Sequence, residues 1–353
     1  MNRLQSIRPF GQRIWLDNLS RELIASGELS RLLQDDGIAG VTSNPAIFYK
    51  AISTDARYQD DLARLKQDAG LSAEQRYEAL VVPDIQAACD LLLPQYQATG
   101  GDDGYVSLEV SPALSRDEAG TLAAARRLWA EIARPNAMIK IPATPEGIRA
   151  FQALTREGVN VNITLLFSLP QVEAVWDAYI AGLSARLAAG EAVSGVKAVA
   201  SFFLSRVDSL LDPQLPAPLQ GKVAIALSKA AYARYQARFH GGEFAALKAA
   251  GARPQFLLWA STGTKNAAYS DVLYVESLIG DETVNTVPDG TLAAFRDHGT
   301  AALTLPMDAE GALRVLADAA ASGIDLPAVG EKLQQDGLKL FDDAFEQLLK
   351  LTA

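Results

Sequence analysis

Short apolar runs of strand length alternate along this chain with longer stretches whose apolar residues recur at helical spacing, and most junctions between them are polar. Strands are predicted over residues 13–17, 40–45, 105–110, 136–144, 159–167, 196–204, 255–261 and 282–287. Helix starts are marked by Ser20, by the box-like Ser72/Gln75 pair, by the stretch 115–118, by Thr144-Pro145, by Ser168 with Pro170 and Gln171, and by Ser205. Strand-then-helix repeated about eight times is the pattern of a parallel α/β architecture. No glycine-rich dinucleotide fingerprint follows the first strand, which favours a closed (β/α)8 TIM barrel over an open doubly wound sheet. Two regions exceed the repeat: a mostly helical segment between strands two and three, and amphipathic helical patterns over 309–351 that carry no evident chemistry. With no low-complexity linker, residues 1–353 are expected to form one domain.

Strand side chains alternate in direction, so each predicted strand can be tested for polar groups near its C-terminal end, where barrel sites are built. Strand one offers Asp17 with Trp15, strand two Thr42 and Asn44, strand three Ser107 and Glu109, strand four Lys140, strand five Asn162 and Thr164. Strand six offers Ser201 with Phe203, and strand seven Ser261 with Trp259. Taken singly, an Asn or Ser there also suits a cap, and Asp17 or Glu109 a solvated charge. Together they would place two carboxylates, a lysine and several hydroxyls and amides in one pocket, where burial makes sense mainly for a ligand.

Lys140 stands between Ile139 and Ile141. Such surroundings hold little water, and desolvation disfavours an ammonium, leaving an amine suited to Schiff-base chemistry on a ketose. The competing reading is a strand-end lysine whose stem packs while its head reaches solvent. Arg206, in the first turn of a predicted helix, suits a phosphate monoester or equally a surface pair with Asp208; Lys265, in the loop after strand seven, is a second candidate cation.

Composition narrows the partners. A formal net charge of -10 argues against general nucleic-acid or anionic-membrane binding. One cysteine, Cys89, and two histidines leave no disulfide framework and make a thiolate- or histidine-rich metal site improbable. No secretory signal or membrane-spanning run is evident, so a cytoplasmic location is expected.

The stretches Trp15-Leu16-Asp17, 41–45, 106–109, 138–143, 162–168 and 200–206, in this order and spacing, resemble the transaldolase family from about Ile14 to Pro288. The resemblance implies a class I, Schiff-base barrel enzyme of the non-oxidative pentose phosphate pathway, of the larger bacterial type and without cofactor or metal. It would move a dihydroxyacetone unit from sedoheptulose 7-phosphate to glyceraldehyde 3-phosphate, giving erythrose 4-phosphate and fructose 6-phosphate. By matching motif positions, Lys140 would be the Schiff-base lysine, Asp17 the base at the hydroxyl of the breaking bond, and Glu109 a proton relay through a water held with Thr164. Asn44, Asn162 and Ser201 would bind donor hydroxyls, Phe203 would line the pocket, and Arg206 would hold the phosphate. Partners are then sugar phosphates, with a homodimer as the candidate assembly. One departure stands out: many members carry Ser-x-Arg-Asn after strand seven, whereas this chain has Ser261-Thr262-Gly263-Thr264-Lys265-Asn266, a longer loop that keeps the charge but loses the guanidinium fork.

Three other functions use parts of the same pattern. A simple aldolase needs the same lysine but releases dihydroxyacetone. A catalytically silent sugar-phosphate-binding barrel predicts loss of the lysine or a carboxylate, and all are present. A phosphosugar isomerase leaves Lys140 without a specific task.

Overall fold

The computed structural model describes residues 2–353. Eight parallel strands close into a barrel in sequence order, with β1 pairing β8. They are β1 (Gln12–Leu16), β2 (Gly40–Val41), β3 (Tyr105–Glu109), β4 (Ala137–Pro142), β5 (Val161–Leu166), β6 (Ala198–Phe203), β7 (Phe256–Ala260) and β8 (Thr283–Val287). Every predicted strand is present, and the fold is the expected (β/α)8 barrel. β2 is shorter than its apolar pattern because Asn44 is already capping: its side chain accepts from Ile47 N at 3.0 Å and starts the helix Pro45–Thr54.

Caps decide where several other strands turn into helices. Thr144 Oγ1 accepts from Gly147 N at 3.0 Å with Pro145 at the first helical position, opening Pro145–Glu157. Ser72 and Gln75 form the reciprocal box at the head of Ala73–Ala98. Three expected caps differ. Asp117, not Ser115, caps Glu118–Ile132, because Pro112–Leu114 forms a tight turn that carries the chain past Ser115. Ser168 makes no side-chain cap; Gln171 Oε1 instead accepts from Phe167 N at 2.8 Å. Ser205 is itself the first residue of Ser205–Leu211, and its hydroxyl lies 2.8 Å from Ser261 Oγ.

The ladder register sorts the barrel interior. Glu109 stands opposite Lys140, Lys140 opposite Asn162, and Ser201 opposite Leu258. Trp259 is therefore on the outer face, opposite and edge-on to Phe202, not on the inner face that parity from Ser261 implied. Ser261 reaches the mouth because its backbone is left-handed (φ 55°), which turns the chain after β7 ends at Ala260. A second irregularity is Leu165 (φ 64°), where the β5–β6 register shifts.

The long segment between β2 and β3 is helical as expected, with Pro45–Thr54, Gln59–Lys66 and Ala73–Ala98. At the other end of the chain, Leu326–Thr352 forms a helix that packs on Pro45–Thr54 and on the end of β5. Its apolar stripe is buried: Phe345 packs edge-on against Tyr77, which in turn meets Phe48.

Candidate active site

A cavity of about 210 Å³ opens at the C-terminal ends of the strands. Its wall includes Lys140, Asp17, Thr164, Asn44, Ser201, Phe203, Arg206, Ser261 and Lys265, nine residues expected from the sequence. Glu109 and Asn162 are not on that wall but directly behind it.

Lys140 is buried (5% exposed), so its head does not reach solvent. Its Nζ lies 3.3 Å from Glu109 Oε2 and donates to the carbonyl oxygen of Ser43 at 3.1 Å. That carbonyl is available because Ser43 precedes the Asn44 cap, where the chain leaves the ladder. Burial pushes the Glu109 carboxyl above its usual pKa, opposed by the nearby Lys140 charge. Asp17, half-buried on the wall, is also raised by burial, with Lys140 and the Thr42 hydrogen bond opposing. Thr42 Oγ1 donates to Asp17 Oδ1 at 2.7 Å and lies 2.6 Å from Thr286 Oγ1. The eighth strand, which offered nothing by pattern alone, thus supplies Thr286 to the same wall. The signal was present: Thr286 stands one residue before the strand end and opposite Trp15, an inward position.

Behind the lysine, hydroxyl and amide groups form a chain across three strands. Ser201 Oγ donates to Asn162 Oδ1 at 2.6 Å, and Asn162 Nδ2 donates to Ser107 Oγ at 3.2 Å. Among the described residues, Thr164 Oγ1 and Arg206 Nη1 are buried on this wall yet have no hydrogen-bond partner, while Glu109 Oε2 is answered only by the Lys140 charge. Buried polar atoms are normally satisfied, so two such atoms on one cavity wall suit a polar ligand. Arg206 is not paired with Asp208 on the surface: Asp208 accepts from Ala224 N and from the Tyr274 hydroxyl instead. Burial alone pulls the Arg206 guanidinium down from its usual pKa, while its Cζ lies 5.3 Å from the Phe203 ring centre. Lys265 is exposed at the rim. One further wall residue, Phe341, comes from the C-terminal helix, where the pattern suggested no chemistry.

No group of three or more His, Cys, Asp or Glu side chains among the described residues is arranged to hold a metal ion. No helix among them is long and apolar enough to cross a membrane.

A closed parallel barrel with its polar, partly unanswered side chains gathered at the C-terminal mouth has the layout of a barrel enzyme. The model of the transaldolase/fructose-6-phosphate aldolase family matches residues 14–352. Relatives named transaldolase include those of Neisseria gonorrhoeae, 56% identical over 349 residues, and Thiobacillus denitrificans, 52% identical over 356 residues, each alignment covering 99% of both chains. A protein of Nostoc sp. named transaldolase 2 is 43% identical over 368 residues, spanning 99% of this chain and 96% of its own. The chain belongs to the transaldolase/fructose-6-phosphate aldolase family and is an enzyme of that type.

Proposed function

We propose that this enzyme transfers a dihydroxyacetone unit from sedoheptulose 7-phosphate to glyceraldehyde 3-phosphate through a Schiff base on Lys140, in the non-oxidative pentose phosphate pathway. The observation that carries the reading is Lys140 itself: a buried primary amine at a cavity wall, 3.3 Å from one carboxylate and sharing that wall with another. Lys140 Nζ attacks the ketose carbonyl, and Glu109, working with the unpartnered Thr164 hydroxyl, moves protons as water leaves the carbinolamine. Asp17 then takes the proton from the hydroxyl next to the breaking carbon–carbon bond, and the iminium accepts the electron pair to become an enamine. Both carboxyls are raised by burial, which strengthens them as bases relative to solvated carboxylates. Reversal of these steps on the acceptor aldehyde completes the transfer.

Asn44, Ser201 and Asn162 supply the groups for the donor hydroxyls, and Phe203 lines the wall. Arg206 is placed to hold the phosphate: a dianion would give its free Nη1 a partner and reverse the cost of burying an unpaired guanidinium. Lys265 and Ser261 stand at the same end of the cavity, a point charge and a hydroxyl in place of a second guanidinium fork. We read the chain as one cytoplasmic domain that needs no cofactor.

The test is borohydride reduction in the presence of fructose 6-phosphate, followed by peptide mass spectrometry. A dihydroxyacetone-derived adduct on Lys140 is expected. Folded protein left unmodified at Lys140, beside a working control, overturns the covalent mechanism.

A further inference from the structure

The C-terminal helix Leu326–Thr352 passes over the barrel mouth, where Gln334 ties it to the rim. Gln334, buried, donates both hydrogens of its amide into the barrel rim: Nε2 lies 2.9 Å from Ala143 O, just past β4, and 3.1 Å from Leu165 O in β5. The Leu165 carbonyl is free for this contact because its left-handed backbone breaks the ladder at that residue. A non-glycine residue holds such a conformation only where its surroundings enforce it. One turn on, Gly337 lets the helix seat closely; a Cβ there would stand 2.9 Å from Leu165 Cδ2 and 3.2 Å from Arg206 Nη1. One further turn brings Phe341 over the cavity, with Lys140 Nζ 5.5 Å from the ring centre. Gln334, Gly337 and Phe341 recur at helical spacing, so a single face carries the pin, the close approach and the apolar cover.

Resting on the function proposed above, we infer that Phe341, held in place by Gln334, determines whether the three-carbon unit on Lys140 is transferred or released. After the retro-aldol step, the enamine carbon has two fates. It can attack an acceptor aldehyde, forming a carbon–carbon bond while the aldehyde oxygen takes the proton held by Asp17. Alternatively, that carbon takes a proton; water then adds to the iminium carbon, the carbon–nitrogen bond breaks, and dihydroxyacetone leaves with the amine restored. The water consumed equals the water lost in forming the Schiff base, so the second route nets fructose 6-phosphate to dihydroxyacetone and glyceraldehyde 3-phosphate. An aromatic ring over the lysine keeps water from the enamine carbon and from the iminium. Its face also suits the cationic iminium, being within the range of a cation–π contact.

The experiment compares free dihydroxyacetone released from fructose 6-phosphate with transfer to erythrose 4-phosphate, for the full chain and its variants. Phe341→Ala should raise the release-to-transfer ratio by about tenfold or more, as water gains access to the intermediate. Phe341→Leu, which keeps an apolar cover, should stay near the parent ratio. Gln334→Met, which removes the pin without opening a cavity, should raise the ratio in the same direction and carries the test if the alanine variant fails to fold. Leu340→Ala, on the exposed side of the helix, should leave the ratio unchanged. If Phe341→Ala and Gln334→Met lower both reactions in proportion, the ring serves packing alone and the inference falls. Borohydride trapping on the parent separates this from the broader reading: no adduct there overturns both, whereas an adduct with an unchanged ratio overturns only the role of Phe341.

Discussion

Two lysines are buried inside this barrel, one toward each end, and they are in opposite circumstances. Lys197, just before β6, is 1% exposed; Lys140, in β4, is 5% exposed. By depth alone Lys197 is the better-hidden amine, and burial pushes its pKa down to about 8 against the pull of Asp102. Its neighbours nonetheless answer it fully. Asp102 lies 2.8 Å away and also takes Arg13 at 2.5 Å and Arg253 at 3.7 Å, while the Lys197 ammonium sits 3.3 Å from the Phe256 ring centre. At the other end, Lys140 has Glu109 Oε2 at 3.3 Å on one side, but Thr164 Oγ1 and Arg206 Nη1 on the same cavity wall lack hydrogen-bond partners. Depth and a depressed pKa do not select a candidate nucleophile. What distinguishes the two lysines is their immediate contacts: Lys197 is closed in by Asp102 and the Phe256 ring, whereas Lys140 stands on the wall of an open cavity beside unpartnered polar atoms.

The sharpest way to break this comparison is to remove each lysine. Lys140→Met should lower transfer by at least about 10⁴-fold and abolish the trapped adduct, because a covalent route has no substitute amine. Lys197→Met should leave the adduct and the rate near parent values. A Lys197→Met enzyme that folds but cannot be trapped would reverse the assignment of the two lysines.

Next in size, Asp17→Asn should still form the Schiff base yet cleave about 10²–10⁴-fold more slowly, as expected for loss of a general base. Borohydride trapping and single-turnover cleavage measure the two steps separately. Equal loss in both would remove Asp17 from the role proposed for it.

The smallest effect concerns the lower cluster and stability alone. Between pH 8 and the ordinary lysine value of 10.5, the unfolded chain binds more protons at Lys197 than the native protein does. Unfolding free energy from this group therefore rises with pH across that window. Urea titrations should show the rise in the parent and a flatter profile in Lys197→Met. An identical slope in both proteins would mean that Lys197 is not the group linking stability to pH.

The strands were legible because their apolar runs and polar ends reflect burial on both faces, which is a local property of sequence. Lys140, Asp17 and Asn44 were legible for the same reason: each interrupts or ends such a run. Trp259 was misplaced because parity holds only while the backbone stays extended, and Ser261 turns left-handed just beyond β7. Thr286 was overlooked because a threonine suits any strand; only the closure of β8 on β1 brings it to Thr42 and Asp17. Phe341 was beyond reach for a different reason. In an amphipathic helix every apolar position looks like core, and which one meets the lysine depends on where Gln334 anchors the helix to the rim.

That anchoring also bears on the order in which the enzyme becomes complete during synthesis. Everything needed to close the ring, from β1 through β8, leaves the ribosome before Gln334 and Phe341 do. Domains tend to fold as their residues emerge. A nascent chain can therefore hold a finished barrel with its lysine and carboxylates in place while the mouth remains uncovered, and a helix made only after the ring is complete is the one that seats over it.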